Sequence, residues 1–376
     1  MRAAFIHSEK IEEHRYPPDC PFRTERAGLT RKTLLSMDLL GGENRREVPP
    51  EPADRETLSR FHTAKYLDAL EMAPKGHLDV ESLSMGIGTP DCPVFAGMYE
   101  YAALACGASI TGAKLILSGE ADVAFNPSGG YHHAHASRAG GFCYINDVVL
   151  ACMHLADAGK RVFFLDIDVH HSDGVQVAFY GRKDIFTMSF HEDPRTLFPW
   201  TGTEDEIGEG EGRGYNANVP LPVGCYDDAF LRSFRALALP LLRAYRPDVI
   251  VFEIGMDMLS GDPLAHLSLT NNAYAEAVED VVSLRLPILA VGGGGYNVQS
   301  TVRGWSLAWS IFCGEASSSD DMSLGLGGVM LETTDWRGGL RDRVQIPDAK
   351  QRSAVDPALN ATVERVRANL FPLHGI

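Results

Sequence analysis

The chain is short of the features that mark secreted, membrane-spanning or nucleic-acid-binding proteins. Its seven cysteines are odd in number and scattered over 376 residues with no C-x-x-C. That usage excludes a disulfide framework and a structural zinc site, and fits a reducing cytoplasm. Positive charge is scarce: 34 Lys plus Arg stand against 50 Asp plus Glu, a formal net charge of -16. Such a surface repels nucleic acid and favours cationic partners, a lysine-containing peptide or a polyamine. No apolar run approaches the length that spans a bilayer. The opening Met1-Arg2-Ala3-Ala4-Phe5-Ile6-His7 has too short an apolar run for a signal peptide and reads as a first strand. Internal repeats are missing, and only Ser317-Ser318-Ser319-Asp320-Asp321 resembles a linker, read here as a surface loop before a C-terminal extension.

What is present is a regular alternation. Apolar strand patterns cover residues 121–125, 161–165, 184–189, 248–254 and 287–291. Helical patterns begin near Thr24 and cover residues 58–70, 96–118, 146–158, 227–245, 272–285 and 298–313. Continuous apolar strands separated by helices predict an α/β fold with a mostly parallel sheet covered on both faces. With 45% hydrophobic residues the chain can bury a large core, and residues 1–376 are expected to form one domain.

Ligands of open parallel sheets bind beyond the carboxyl ends of the strands. Here those ends run into His132-His133, into Asp166, Asp168, His170 and Asp173, into His191, into Gly255-Met256-Asp257, and into Gly292 to Gly295 followed by Tyr296. Strand alternation would point Asp166, Asp168 and His170 to one side. Asp168, His170 and Asp257 supply three oxygen or nitrogen ligands for a divalent metal and leave a position open for water. His132 and His133 can supply a base, with Asp166 and Asp173 to orient their rings. Tyr296, after four glycines, can be aimed at a developing oxyanion. The glycine run fits neither the G-x-G-x-x-G nor the P-loop spacing, so a nucleotide is not expected.

These residues carry a family resemblance. Gly140-Gly141-Phe142-Cys143-Tyr144-Ile145-Asn146-Asp147, the His132-His133 pair, the run from Asp166 to Gly174, Gly255-x-Asp257, Gly261-Asp262-Pro263 and Gly292 to Tyr296 resemble the zinc-dependent histone deacetylases, which include bacterial acetoin-utilization deacetylases. The similarity runs in register from about Arg15 to about Cys313, leaving the extension from 314 to 376 outside it.

The resemblance implies an arginase/deacetylase-type fold and hydrolysis of N-ε-acyl-lysine, most simply acetyl-lysine, in a protein, a peptide or a small cationic amide. It implies zinc, or iron(II), on Asp168, His170 and Asp257. His133 would be general base and acid, and His132 its electrostatic partner, paired with Asp173 and Asp166 respectively. Tyr296 would polarise the carbonyl. Gly141, Phe142, Phe198 and Leu264 would line or rim the acyl-lysine tunnel, with Asp91 gripping the substrate backbone and Arg26 lining an internal channel. A potassium ion would sit on Asp166, Asp168, His170, Ser189 and Phe190. Ser172, Tyr131, Arg195 and Trp200 depart from the family's usual pattern and bear on substrate choice. The alternatives are an acetylpolyamine deacetylase, a binuclear manganese ureohydrolase on the same fold, and a silent acyl-lysine-binding module. Oligomeric state and acyl-chain preference are left open by the sequence.

Overall fold

The computed structural model describes residues 1–315 and 339–376, so the loop expected at Ser317 to Asp321 lies outside the described residues. Among the described residues eight strands form one sheet: β1 (Ala3–Ile6), β2 (Arg45–Val48), β3 (Val123–Asn126), β4 (Val162–Asp166), β5 (Ile185–Glu192), β6 (Asn216–Leu221), β7 (Val249–Glu253) and β8 (Ile288–Val291). Their order is β2-β1-β3-β8-β7-β4-β5-β6, and every pair is parallel. The α-helices among the described residues are α1 (Arg26–Ser36), α2 (Arg55–Leu58), α3 (Ala64–Met72), α4 (Val80–Ser84), α5 (Met98–Leu117), α6 (Asp147–Asp157), α7 (Asp173–Phe179), α8 (Asp227–Tyr245), α9 (Asn271–Val282), α10 (Val298–Phe312) and α11 (Ala349–His374).

The central strands are apolar on both sides because helices cover both faces. Phe163, Leu165, Phe252 and Ile250 join the cluster under α8, α9 and α10, whereas Val162, Phe164, Val251 and Leu289 join the cluster under α6. Burial of each such side chain is worth roughly 1.5–3 kcal/mol. Apolar burial therefore fixes this part of the fold, and polar groups are left for the strand ends.

The expected strands are all present, with two corrections. β5 runs three residues further than residues 184–189, so His191 sits inside the strand rather than beyond it. The helical pattern over 58–70 is interrupted: α2 ends at Leu58, and Thr63 caps α3 by accepting from the Tyr66 amide. Two strands were not anticipated, β2 and β6. β2 is Arg-Arg-Glu-Val, with no apolar alternation to betray it. β6 contains Pro220, which is tolerated because β6 is an edge strand.

Candidate active site

β4 and β7 lie side by side with Asp166 opposite Glu253, and β5 continues the row with Ser189 opposite Asp166. The strand stops at Asp166, so β alternation does not carry Asp168 and His170 into the site, contrary to the sequence expectation. Two side-chain turns do it instead. Asp166 Oδ1 accepts from the Asp168 amide at 2.8 Å, and Asp168 Oδ1 accepts from the His170 amide at 2.9 Å. Short polar side chains that bond the backbone two residues on are the usual device for such turns.

His170 Nδ1 then lies 3.1 Å from Asp168 Oδ1 and 3.1 Å from Asp257 Oδ2. All three residues are buried, and their ligand atoms lie within 4.8 Å of one another. Two glycines make room for this cage. A Cβ on Gly294 would fall 2.0 Å from Asp257 Oδ2, and one on Gly255 would fall 2.1 Å from Asp168 Oδ2. The Gly294 amide donates to Asp168 Oδ2 at 2.6 Å. Burial alone would lower the His170 pKa, but Asp168 and Asp257 overturn that and hold it at about 10. Burial, then the charge of Asp168, pushes Asp257 up to about 7. Such strain among like charges in a dry pocket is what a bound divalent cation relieves, and two carboxylates with one imidazole suit such an ion.

Beside the cage stand the paired histidines. His132 Nδ1 is 3.0 Å from Asp166 Oδ2, and His133 Nδ1 is 2.7 Å from Asp173 Oδ1. The two Nε2 atoms are 3.1 Å apart. Burial opposes charge on His132, yet Glu253 and Asp166 raise its pKa well above the ordinary value. Burial and the neighbouring His132 lower His133 to about 4, against the pull of Asp173. One imidazole is thus held charged and the other neutral.

Phe198 packs on His133 with ring centroids 5.0 Å apart, and Phe142 packs on Tyr296 at 5.6 Å, so both aromatics flank the cage. Gly141 has φ +51, and a Cβ there would lie 2.3 Å from His133 Cδ2, so only glycine fits. Its amide donates to Asp91 Oδ2 at 3.1 Å, while Thr89 donates to Asp91 Oδ1 at 2.7 Å. Leu264 is half-buried beside Asp262, whose Oδ2 accepts from the Tyr296 amide at 2.7 Å. Arg26 is buried behind the glycine run and donates to Gly295 O at 2.9 Å and Gly293 O at 3.1 Å. Ser189 Oγ is 2.9 Å from His191 Nδ1, and Phe190 packs away from the site against Phe230 and Phe234.

Three polar residues of the site were not singled out from the sequence. Asp147 accepts from the Gly130 and Tyr131 amides at 3.1 and 2.8 Å and so shapes the loop before the histidines. His135 bonds Asp173. Glu253 is fully buried with Oε1 3.0 Å from His132 Nδ1, but that N–H is directed at Asp166, and neither Glu253 oxygen accepts a hydrogen bond. The signal for Glu253 was its place at the end of an apolar strand; the signal for His135 was its spacing from the histidine pair.

A parallel α/β sheet with a carboxylate–imidazole cage and a histidine pair beyond its strand ends defines a class, proteins equipped for metal-assisted hydrolysis. Residues 20–312 match the histone deacetylase domain model. The chain is 38% identical over 314 residues to histone deacetylase B of Dictyostelium discoideum, covering 82% of this chain and 73% of that protein. It is 39% identical over 315 residues to the acetoin utilization protein AcuC of Bacillus subtilis, covering 82% of this chain and 81% of that protein. A crystal structure of an HDAC homolog complexed with SAHA superposes with a TM-score of 0.85 at 30% identity, covering 98% of this chain and all of that one. This chain belongs to the histone deacetylase family.

Proposed function

We propose that the chain is a metal-dependent deacylase that removes an acyl group, acetyl in the first instance, from N-ε-acyl-lysine in peptides or proteins. The observation that carries this reading is His133, bonded to Asp173 and standing between the Asp168–His170–Asp257 cage and the aromatic wall of Phe198. Phe142 and Phe198 would hold the lysine methylenes in a slot that admits no charged group. Asp91 and Leu264 would meet the substrate at the rim.

Asp168, His170 and Asp257 would hold zinc or iron(II), which would supply Lewis acidity towards a carbonyl oxygen and a water. His133 Nε2 takes the proton of the attacking water and then delivers it to the departing lysine amine. Asp173 keeps Nδ1 as the protonated nitrogen of that ring. His132, charged beside Asp166, favours the anionic character that develops nearby. The Tyr296 phenol stays protonated because burial raises its pKa well above 10, and it donates to the nascent oxyanion. Asp166, Asp168, His170, Ser189 and Phe190 are assigned to a potassium ion, and Arg26 to the exit of the released acid. Seven unpaired cysteines support a reducing, cytoplasmic setting.

The test is a side-by-side assay of an acetyl-lysine peptide and N-acetylputrescine, using protein stripped by chelation and reloaded with zinc or iron(II). The peptide is expected to be hydrolysed, with activity lost on stripping and regained on reloading. Undiminished hydrolysis after thorough chelation, or no turnover of any acylated lysine, sinks the proposal. Faster turnover of the polyamine would move the substrate to the small cationic amides that the net charge of -16 also attracts.

A further inference from the structure

Asp173 offers its two oxygens to two different imidazoles. Oδ1 lies 2.7 Å from His133 Nδ1, and Oδ2 lies 2.9 Å from His135 Nε2. The rings differ in setting. His133 is buried and packs on Phe198 and His170. The His135 side chain is 20% exposed, and with His133 and Asp173 it lines an open cavity of about 690 Å³ whose walls include Arg138, Gln176 and Trp200.

The position of His135 is built into the loop. Its amide donates to Arg138 O at 2.8 Å, and the next carbonyl, that of Ala136, accepts from the Thr63 amide at the start of α3 at 2.8 Å. On the other side Asp173 opens α7 directly after the His170-His171 turn. Two separately anchored segments thus deliver a second donor to the free oxygen of the carboxylate that orients the base.

We infer that His135 is a positioning residue for the deacylase reaction, locking Asp173 so that its Oδ1 holds His133 in the reactive tautomer. The inference rests on the reading of His133 as general base. A carboxylate with one donor can turn about its Cβ–Cγ bond and exchange that donor for water, and the cavity beside Asp173 would supply the water. A carboxylate held at both oxygens has one orientation. His133 then keeps its proton on Nδ1 and its lone pair on Nε2, on the side facing the cage. His135 lines the cavity that Asp91 and Phe198 also line, but its hydrogen bond goes to Asp173, so its loss is expected to fall on turnover more than on substrate binding.

The experiment compares kcat and KM for an acetyl-lysine peptide in the metal-loaded wild type, His135→Phe, and His135→Gln, which keeps a side-chain N–H donor. Melting temperatures are measured on each. Removing the outer partner of a catalytic group typically lowers activity about 10- to 100-fold, and a loss of that order in kcat is expected for His135→Phe, with KM within about twofold. His135→Gln is expected to recover most of the rate, and both variants to melt within a few degrees of wild type. If His135→Phe does not fold, His135→Asn, too short to reach Asp173, takes its place with the same expectations. Unchanged turnover in the donor-free variant overturns the inference, as does an equal loss in the glutamine variant or a rise in KM in place of a fall in kcat. Active wild type with an indifferent His135→Phe removes this inference alone. Wild type inactive on every acylated lysine removes the deacylase reading, and this inference with it.

Discussion

Tyr296 and Glu253 pose opposite problems at the residue scale. The Tyr296 ring packs on Phe142 and lies 6.2 Å from His170, so removing its hydroxyl leaves the packing intact and isolates the chemistry. Tyr296→Phe is expected to lower kcat about 10²- to 10³-fold with little change in KM, the usual cost of one oxyanion donor. Steady-state kinetics with an acetyl-lysine peptide check this, and an unaltered rate would remove the assigned role. Glu253 is a carboxylate without a hydrogen bond in a site already crowded by Asp166 and Asp168. Burial, against the pull of His132, raises its pKa well above the ordinary value. A raised carboxyl pKa means that the folded chain binds this proton more readily than the unfolded one, so stability is lost as pH rises above the ordinary carboxyl range. In metal-stripped protein at pH 7, Glu253→Gln is therefore predicted to raise the free energy of unfolding by about 1 kcal/mol or more, measured with urea. A fall would show that His132 needs the second charge.

At the scale of elements, close approach decides more than propensity. α5 carries Gly107 in mid-helix, where alanine would ordinarily stabilise by up to about 1 kcal/mol. A Cβ there would sit 1.9 Å from Glu51 O, and the Ala53 amide donates to Ala103 O at 2.9 Å, so the 51–53 segment lies directly on the helix. Backbone cannot give way as a side chain can. Gly107→Ala is predicted to destabilise by about 1–3 kcal/mol, the range of core overpacking, and thermal melting would reveal it. α11 raises the matter of domain organisation. It buries Val355, Leu359, Val366 and Leu370 in the same cluster as α8 and β6. We propose on that ground that residues 1–376 form one domain, the C-terminal helix included. Deleting residues 349–376 is expected to abolish a single cooperative unfolding transition; a truncated chain that melts as sharply as the full one would refute this.

For the whole molecule, buried neutral histidines set the response to acid. Burial, opposed by nearby backbone carbonyls, lowers His62 to about 4, and burial followed by His171 lowers His191 to about 3. Each protonates near its ordinary value in the unfolded chain. The unfolded state therefore binds more protons as pH falls from about 6.5 to about 4, and stability declines through that window. The slope is about 1.4 kcal/mol per pH unit for each such histidine. His62 Nε2 accepts from the Asn146 amide at 3.0 Å, a bond that glutamine can keep without titrating. His62→Gln is accordingly predicted to flatten urea-derived stability between pH 6.5 and 4 by about that slope; an unchanged profile would contradict it. The parallel sheet, the family and the identities of the cage and histidine residues are legible along the chain, because apolar strand runs and motif order are local properties. Folding settles what the chain does not display: side-chain turns deliver Asp168 and His170, Glu253 crowds His132, and His135 shares Asp173. The last two depend on strand register and on loops meeting across more than thirty residues of chain; the turns close over only two residues, but they begin where β4 stops, and its partner strands set that point.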